Sequence, residues 1–228
     1  MTISQNNPKD QRPNKSLACS WSGGKDSCYA LMRRLRSGGT LKVLINMMNE
    51  KGRISRSHGL TEEILAMQAV RIGIPVLHCP TGWSDYEKNF ISLLGEAKRQ
   101  FDIEEVVFGD IDLQPHRDWE EMVCQKVGLH ASLPLWKQDR RTLVEEMLGA
   151  GIQTTIVSCN EFMGQEYIGR PLTIALVDEL ELKGIDPCGE QGEFHTVVTD
   201  CPLFSAPIQL PRFQPVQHEG YWFSDFAT

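Results

Sequence analysis

Ser22-Gly23-Gly24-Lys25-Asp26-Ser27 sets two glycines, a lysine and two hydroxyls between the apolar run Leu17–Trp21 and a helical pattern. Paired glycines let a backbone turn tightly and approach an anion, and the N–H groups of a first helical turn then point at that anion. Lys25, expected to face solvent, adds a positive charge, and Ser22 and Ser27 add hydroxyls. Phosphate is the anion this chemistry suits. Asp26 would repel it unless a divalent cation lies between, so Asp26 is the expected magnesium contact. The spacing differs from the Walker pattern, which needs G-x-x-x-x-G-K-[ST].

A second cluster lies far downstream, in Asp186-Pro187-Cys188-Gly189-Glu190-Gln191-Gly192-Glu193-Phe194-His195-Thr196. Two glycines and two glutamates in so short a span read as a tight loop presenting acids and backbone N–H groups. Glu190 and Glu193 can orient an amine, accept a proton from ammonium or bind magnesium. The acidic surroundings raise the Cys188 thiol, which favours a structural role. Between the clusters stand Gly109 and Asp110, then His58 in Arg56-Ser57-His58-Gly59, which could meet ribose, phosphate or acceptor. Arg117 can clamp a carboxylate or phosphate with its planar fork, or pair with Glu120 or Glu121 at helical spacing. Trp136 reads as a packing residue.

The elements that position these residues alternate in type. Leu17–Trp21, Leu41–Met47, Pro75–Cys79, Glu105–Gly109 and Ala131–Leu135 read as strands. Cys28, Leu31, Met32 and Leu35 at i, i+3, i+4, i+7 mark the first helix, and Thr61 is a fitting N-cap for the second. Asp85–Gln100 and Trp119–Val127 supply two more. Such alternation predicts an α/β fold, a five-stranded parallel sheet with helices on both faces, whose ligands sit at the carboxyl ends of the strands. Beyond Trp136 come a helix (Arg141–Ala150), a strand (Ile152–Ser158), a helix around Leu172–Leu180, a strand-like run His195–Val198 and a Pro-rich tail. The division expected is a loose polar tail over 1–15, a nucleotide domain over 16–136 and a smaller α+β lobe over 137–228.

The 228 residues carry a net charge of −7, which disfavours general nucleic-acid binding because a polyanion needs a basic surface. The uncharged run Met147–Asn160 is shorter than the roughly 20 apolar residues of a membrane span and holds Gly149, Gly151, Gln153 and Asn160. Seven cysteines without a C-x-x-C pair argue against a zinc ribbon or dithiol site and suggest a reducing cytoplasm.

Ser22–Ser27 resembles the pyrophosphatase loop of the PP-loop ATPases, a HUP/Rossmann-like superfamily. The resemblance implies a loop gripping the β- and γ-phosphates of ATP, with pyrophosphate leaving and AMP passing to the substrate. Together with C-G-E-x-G-E-[FY]-x-T, met from Cys188 to Thr196, and with Asp200-Cys201-Pro202-Leu203-Phe204, the chain resembles the diphthine–ammonia ligase family. Phe108-Gly109-Asp110-Ile111, His116-Arg117-Asp118-Trp119 and Pro134-Leu135-Trp136 extend the likeness, which runs from about Leu17 to Ile208. The short length and His195 look more like the prokaryotic members.

What the resemblance implies is a magnesium-dependent ligase that adenylates an acceptor carboxylate and amidates it with ammonia. ATP contacts are then expected at Ser20, Ser22, Gly23, Gly24, Lys25, Asp26, Ser27, Gly109 and Asp110, and at the Met47 backbone beside adenine. Substrate contacts are expected at His58, Arg117, Gly189, Glu190, Gly192, Glu193, His195 and Thr196, with Lys25, Asp26, Glu190 and Glu193 in the chemistry. The acceptor is either a modified translation elongation factor or a small carboxylate, and a homodimer is left open. The length leaves no room for a glutaminase domain, so ammonia is free or comes from a separate donor. Another PP-loop enzyme amidating a different carboxylate and a non-catalytic ATP or AMP sensor are the rival readings.

Overall fold

The computed structural model describes residues 14–226, so most of the expected N-terminal tail lies outside the described residues. Five strands, β1 (Ser16–Ser20), β2 (Thr40–Met48), β3 (Val76–Pro80), β4 (Glu105–Val107) and β5 (His130–Ser132), form one sheet in the order β3-β2-β1-β4-β5. Every pairing in it is parallel. The chain winds outward from β1 to β3 and then returns to place β4 on the other side of β1. The switch point therefore lies between β1 and β4, where open α/β sheets bind ligands at the carboxyl ends.

Four helices cover the sheet: α1 (Lys25–Arg36), α2 (Glu62–Ile72), α3 (Tyr86–Phe101) and α4 (Gln114–Lys126). Strand alternation splits the core in two. Leu17, Cys19, Leu44 and Met48 face α1 and α2, whereas Ala18, Val43, Ile45 and Met47 face α3 and α4. Thr61 caps α2 by accepting the Ile64 N–H, and Gly73 ends that helix at φ 77°. Several limits differ from the sequence reading, two of them beside the cleft. β4 stops at Val107 rather than Gly109, and α4 starts at Gln114, with Pro115 in its first turn where proline costs no hydrogen bond.

The C-terminal lobe contains α5 (Arg140–Gly149), β6 (Gln153–Asn160), α6 (Ile174–Leu182) and β7 (Phe194–Asp200). The expected Pro-rich tail is in part a hairpin, β8 (Phe213–His218) and β9 (Tyr221–Phe226). Its turn, Glu219-Gly220, has both φ angles positive, at 49° and 80°, which suits the right-handed twist of a two-residue hairpin. Pro215 is tolerated because β8 is an edge strand of the antiparallel sheet β7-β6-β9-β8. Among the described residues, no helix is long and apolar enough to cross a membrane.

Candidate active site

The loop after β1 turns at Gly23, whose φ is +85°, and enters α1 at Gly24. A Cβ on Gly24 would lie 2.7 Å from His58 Nε2 and 3.0 Å from the Thr196 carbonyl oxygen, so only glycine fits. Ser22 Oγ and Ser27 Oγ stand 3.0 Å apart, and Ser27 Oγ donates to the Gly24 carbonyl at 3.1 Å. These contacts hold the hydroxyls of both ends of the loop side by side.

Lys25 corrects an expectation. It is 1% exposed, not solvent-facing. Its Nζ donates to the Cys188 carbonyl at 2.5 Å and to Asp26 Oδ2 at 2.9 Å, and lies 5.2 Å from the centre of the Phe194 ring. The reason is tertiary: the Cys188–Gly189–Glu190 loop folds down over the start of α1 and takes the ammonium as its tie. Burial works against the Lys25 charge, but Asp26, Cys188 and Glu190 outweigh it and leave the ammonium above its ordinary value. Burial raises Asp26, and Lys25 offsets this in part.

Gln68, on α2, is the residue sequence reasoning missed most clearly. It is fully buried. Its Nε2 donates to the Gly23 carbonyl at 3.0 Å and to the Val198 carbonyl at 2.8 Å, while its Oε1 accepts from the Trp21 indole at 2.8 Å. Val198 N–H also reaches the Gly23 carbonyl at 2.9 Å, and Lys25 N–H reaches Thr196 Oγ1 at 3.2 Å. Thus β7 docks along the phosphate-type loop. Gln68→Ala strands buried polar groups on three sides and is expected to lower the unfolding free energy by about 3 kcal/mol in urea denaturation. An unchanged midpoint would contradict the clamp.

A cleft of about 640 Å³ opens over the carboxyl ends of β1 and β4. Of the predicted residues it is lined by Ser20, Ser22, Asp26, Ser27, His58, Gly109, Asp110, Gly189, Glu190 and His195. Burial is the main force pushing Glu190 up to about 7, with Asp26 and Asp110 adding to it, against the Ile111 N–H that Glu190 Oε1 accepts at 2.9 Å. Asp110 Oδ1 lies 2.7 Å from His116 Nδ1. Burial opposes the Asp110 charge, but the His116 contact and the neighbouring Glu120 carboxyl outweigh it and hold the carboxyl below its ordinary range. His116 and Glu120, together with the aromatic wall of Trp83, Tyr86, Phe90 and Trp119, line the cleft without having been singled out. Tyr86 and Phe90 sit at the helical spacing that also marks a core stripe, which hid their second face.

Other predicted residues sit outside the cleft lining. Met47 is buried in β2 among the α3–α4 core. Arg117 bonds Glu121 at 2.7 Å on the surface of α4 and lies over the Trp136 ring at 5.1 Å, because the i,i+4 partner is nearer than the cleft. Glu193 turns back on its own loop and accepts the Gln191 N–H at 3.0 Å. Gly23, Gly24, Lys25 and Thr196 shape the loop from beneath, and Gly192 lies in the neighbouring turn at φ 86°. Cys188 is a buried thiol pushed up to about 12, chiefly by burial.

His58 is buried rather than solvated, and its ring stands 4.5 Å from that of His195. Burial first, then the neighbouring His195 and Lys25 charges, hold His58 well below its ordinary value. Burial and Lys25 bring His195 down to about 4. Between pH 6.5 and 4 the unfolded chain therefore binds protons that the folded site refuses, so this site lowers stability as pH falls through that window. His195→Gln is expected to flatten that part of a melting-temperature-versus-pH curve. An unaltered slope would contradict the burial of these rings.

The comparisons with known proteins bear on the whole chain. The family models for the diphthamide synthase N-terminal domain and the diphthamide synthase C-terminal domain match residues 15–131 and 139–227. The diphthine–ammonia ligases of Bos taurus and Mus musculus are each 27% identical over 90% of this chain and 86% of their own length. That of Schizosaccharomyces pombe is 27% identical over 87% of this chain and 36% of its own. A solved structure, described as a predicted subunit of tRNA methyltransferase from Methanocaldococcus jannaschii, covers 85% of this chain and all of its own at 15% identity and a TM-score of 0.43. With both family models matched in chain order across nearly all the described residues, the chain belongs to the diphthamide synthase family.

Proposed function

We propose that the protein is an ATP-dependent ligase that adenylates an acceptor carboxylate and amidates the product with ammonia; the relatives' name, diphthine–ammonia ligase, gives for them the joining of diphthine to ammonia. The observation that carries this reading is the meeting of the Ser22–Ser27 turn, Gly109–Asp110 and Glu190 around one cleft at the switch point of the sheet. The nucleotide unit is taken as residues 16–136 and the substrate lobe as 137–228. The acceptor is a carboxylate on a translation elongation factor or a small molecule, and the place of work is the cytoplasm.

Asp26 Oδ1 is buried without a hydrogen-bond partner, which suits a cation. Among the described residues, no group of three or more His, Cys, Asp or Glu could hold a metal. A magnesium ion would thus take one protein oxygen, from Asp26, and fill its shell with phosphate oxygens and water, its usual habit. Bound there, it would neutralise charge on the leaving pyrophosphate.

The chain's own residues do the rest. Ser22 and Ser27 donate hydroxyls to the triphosphate, and the first turn of α1 adds its N–H dipole. The acceptor oxygen attacks the α-phosphorus and the bond to pyrophosphate breaks, while Gly109 lets the start of α1 pack closely against the end of β4 and so fixes the turn that holds the phosphates. Glu190, poised near neutral pH, accepts a proton from the attacking nitrogen as AMP leaves. Lys25 acts as a positioning residue: it holds the Glu190 loop over the turn through the Cys188 carbonyl.

Incubation with ATP, magnesium, ammonium and candidate carboxylates tests the reading. Phosphorus NMR should show AMP and pyrophosphate growing only when an acceptor is present. ADP formation would overturn it. Tight nucleotide binding without turnover across a broad acceptor panel would favour a sensor instead.

A further inference from the structure

We propose that the part of the cleft lined by Asp110, Glu120 and the rings of Tyr86, Phe90 and Trp119 seats an ammonium cation between Glu120 and Asp110 and so binds the nitrogen donor. This rests on the ligase reading for its role in the reaction, though not for the seat itself.

Three observations converge there. Glu120 is only 4% exposed, lines the cleft, and has its Oε2 buried with no hydrogen-bond partner. A buried carboxylate oxygen in that state is stabilised by a donor brought from outside the protein. Asp110 adjoins it and lies 2.7 Å from His116 Nδ1 on its other side. Beside the acids, aromatic rings form a wall. Tyr86 and Trp119 have centroids 5.7 Å apart, and Phe90 and Trp119 have centroids 5.1 Å apart. Aromatic faces attract cations, most strongly where water is thin. Burial and Asp110 push Glu120 up to about 11, which is the behaviour of a carboxyl lacking its cation.

The chemistry selects among cations. Among the described residues the acids do not converge into a metal-holding group. An orphaned oxygen takes a hydrogen-bond donor or a bare cation, and a fully alkylated ammonium offers it neither. Ammonium is small, carries donors in every direction and suits both the acids and the rings.

The consequence for the reaction balances in atoms and charge. Entry of ammonium drives the proton held by Glu120 out to solvent by way of Asp110 and the exposed His116. The seated cation then gives one proton to Glu120, leaving ammonia with a free lone pair. That lone pair forms the C–N bond to the acyl-adenylate carbonyl carbon, and the C–O bond to AMP breaks with its electrons on AMP. The second nitrogen proton passes to Glu190 as AMP leaves.

The test is a calorimetric titration of the full chain with ammonium chloride, ionic strength being held constant with sodium chloride. Parallel arms use potassium chloride and tetramethylammonium chloride. Saturable ammonium binding at least tenfold tighter than potassium is expected, with no tetramethylammonium binding. Glu120→Gln keeps the shape, removes the carboxylate and is expected to weaken ammonium at least tenfold. Should that variant not fold, Tyr86→Leu leaves the acids in place and should weaken ammonium several-fold. Equal potassium and ammonium affinities, tighter tetramethylammonium binding, or ammonium binding indifferent to both substitutions would overturn the seat. ATP affinity measured on the same samples reports on the ligase reading separately: ammonium binding without ATP binding supports the seat and sinks the reading, and ATP binding without ammonium binding does the reverse.

Discussion

Lys25→Ala is expected to lower the unfolding free energy by about 3 kcal/mol, because it removes one partner of a buried ion pair and leaves the other. The side chain is 1% exposed, so solvent cannot take over its contacts. Its loss strands the Cys188 carbonyl and Asp26 Oδ2 and unties the Glu190 loop from α1. In a domain of this size that corresponds to a fall in melting temperature of roughly 6–12 °C. Nucleotide affinity should fall at least about tenfold, since Asp26 then faces the triphosphate with no ammonium beside it. Calorimetry and thermal melts on one preparation read both effects. A melting temperature equal to that of the wild type would remove Lys25 from its place as the tie between the lobes.

Gly109→Ala is expected to cost about a hundredfold in turnover. A Cβ at Gly109 would lie 2.7 Å from the Ser27 backbone nitrogen, 2.9 Å from the Asp26 carbonyl carbon and 3.1 Å from Ser27 Cα. All three are main chain, so no rotamer can yield, and the start of α1 must move. Overpacking of this kind costs about 1–3 kcal/mol in stability. The larger effect is on reaction geometry, where a displacement of about 1 Å can cost a hundredfold. Gly149→Ala is the control: a Cβ there meets nothing within 4 Å, and the change should be neutral or slightly stabilising. Comparable steady-state ATP turnover in the two variants would show that β4 does not press on the loop.

Much of this architecture was legible because its signals are local. The alternation of apolar runs with 3.6-residue stripes fixes β1 to β5 and their helices within a few residues. The turn at Gly23-Gly24 is legible for the same reason, since conformation there depends on the glycines themselves. Lys25 was misread because its burial depends on Cys188, which lies 163 positions away in sequence. Gln68 gave no sign, because a glutamine in an amphipathic helix looks like any solvated polar residue until two lobes close on it. Tyr86, Phe90 and Trp119 fit the core stripes of their helices, and nothing local marks that their rings also wall a cleft. The β8–β9 hairpin was obscured by Pro215, by flanks that do not alternate and by a Glu219-Gly220 turn outside the usual Asn-Gly and Asp-Gly pairs.

The reaction proposed for the cleft depends on the turn opening α1 holding the triphosphate of ATP. The most direct measurement is a crystal structure with magnesium and a non-hydrolysable ATP analogue at saturating concentration. The account predicts the β- and γ-phosphates within hydrogen-bonding distance of the Ser22 and Ser27 hydroxyls, the cation against Asp26 Oδ1, and the α-phosphate facing the cleft toward Glu190. A nucleotide bound elsewhere, or a Ser22–Ser27 turn without phosphate in a saturated crystal, would contradict it.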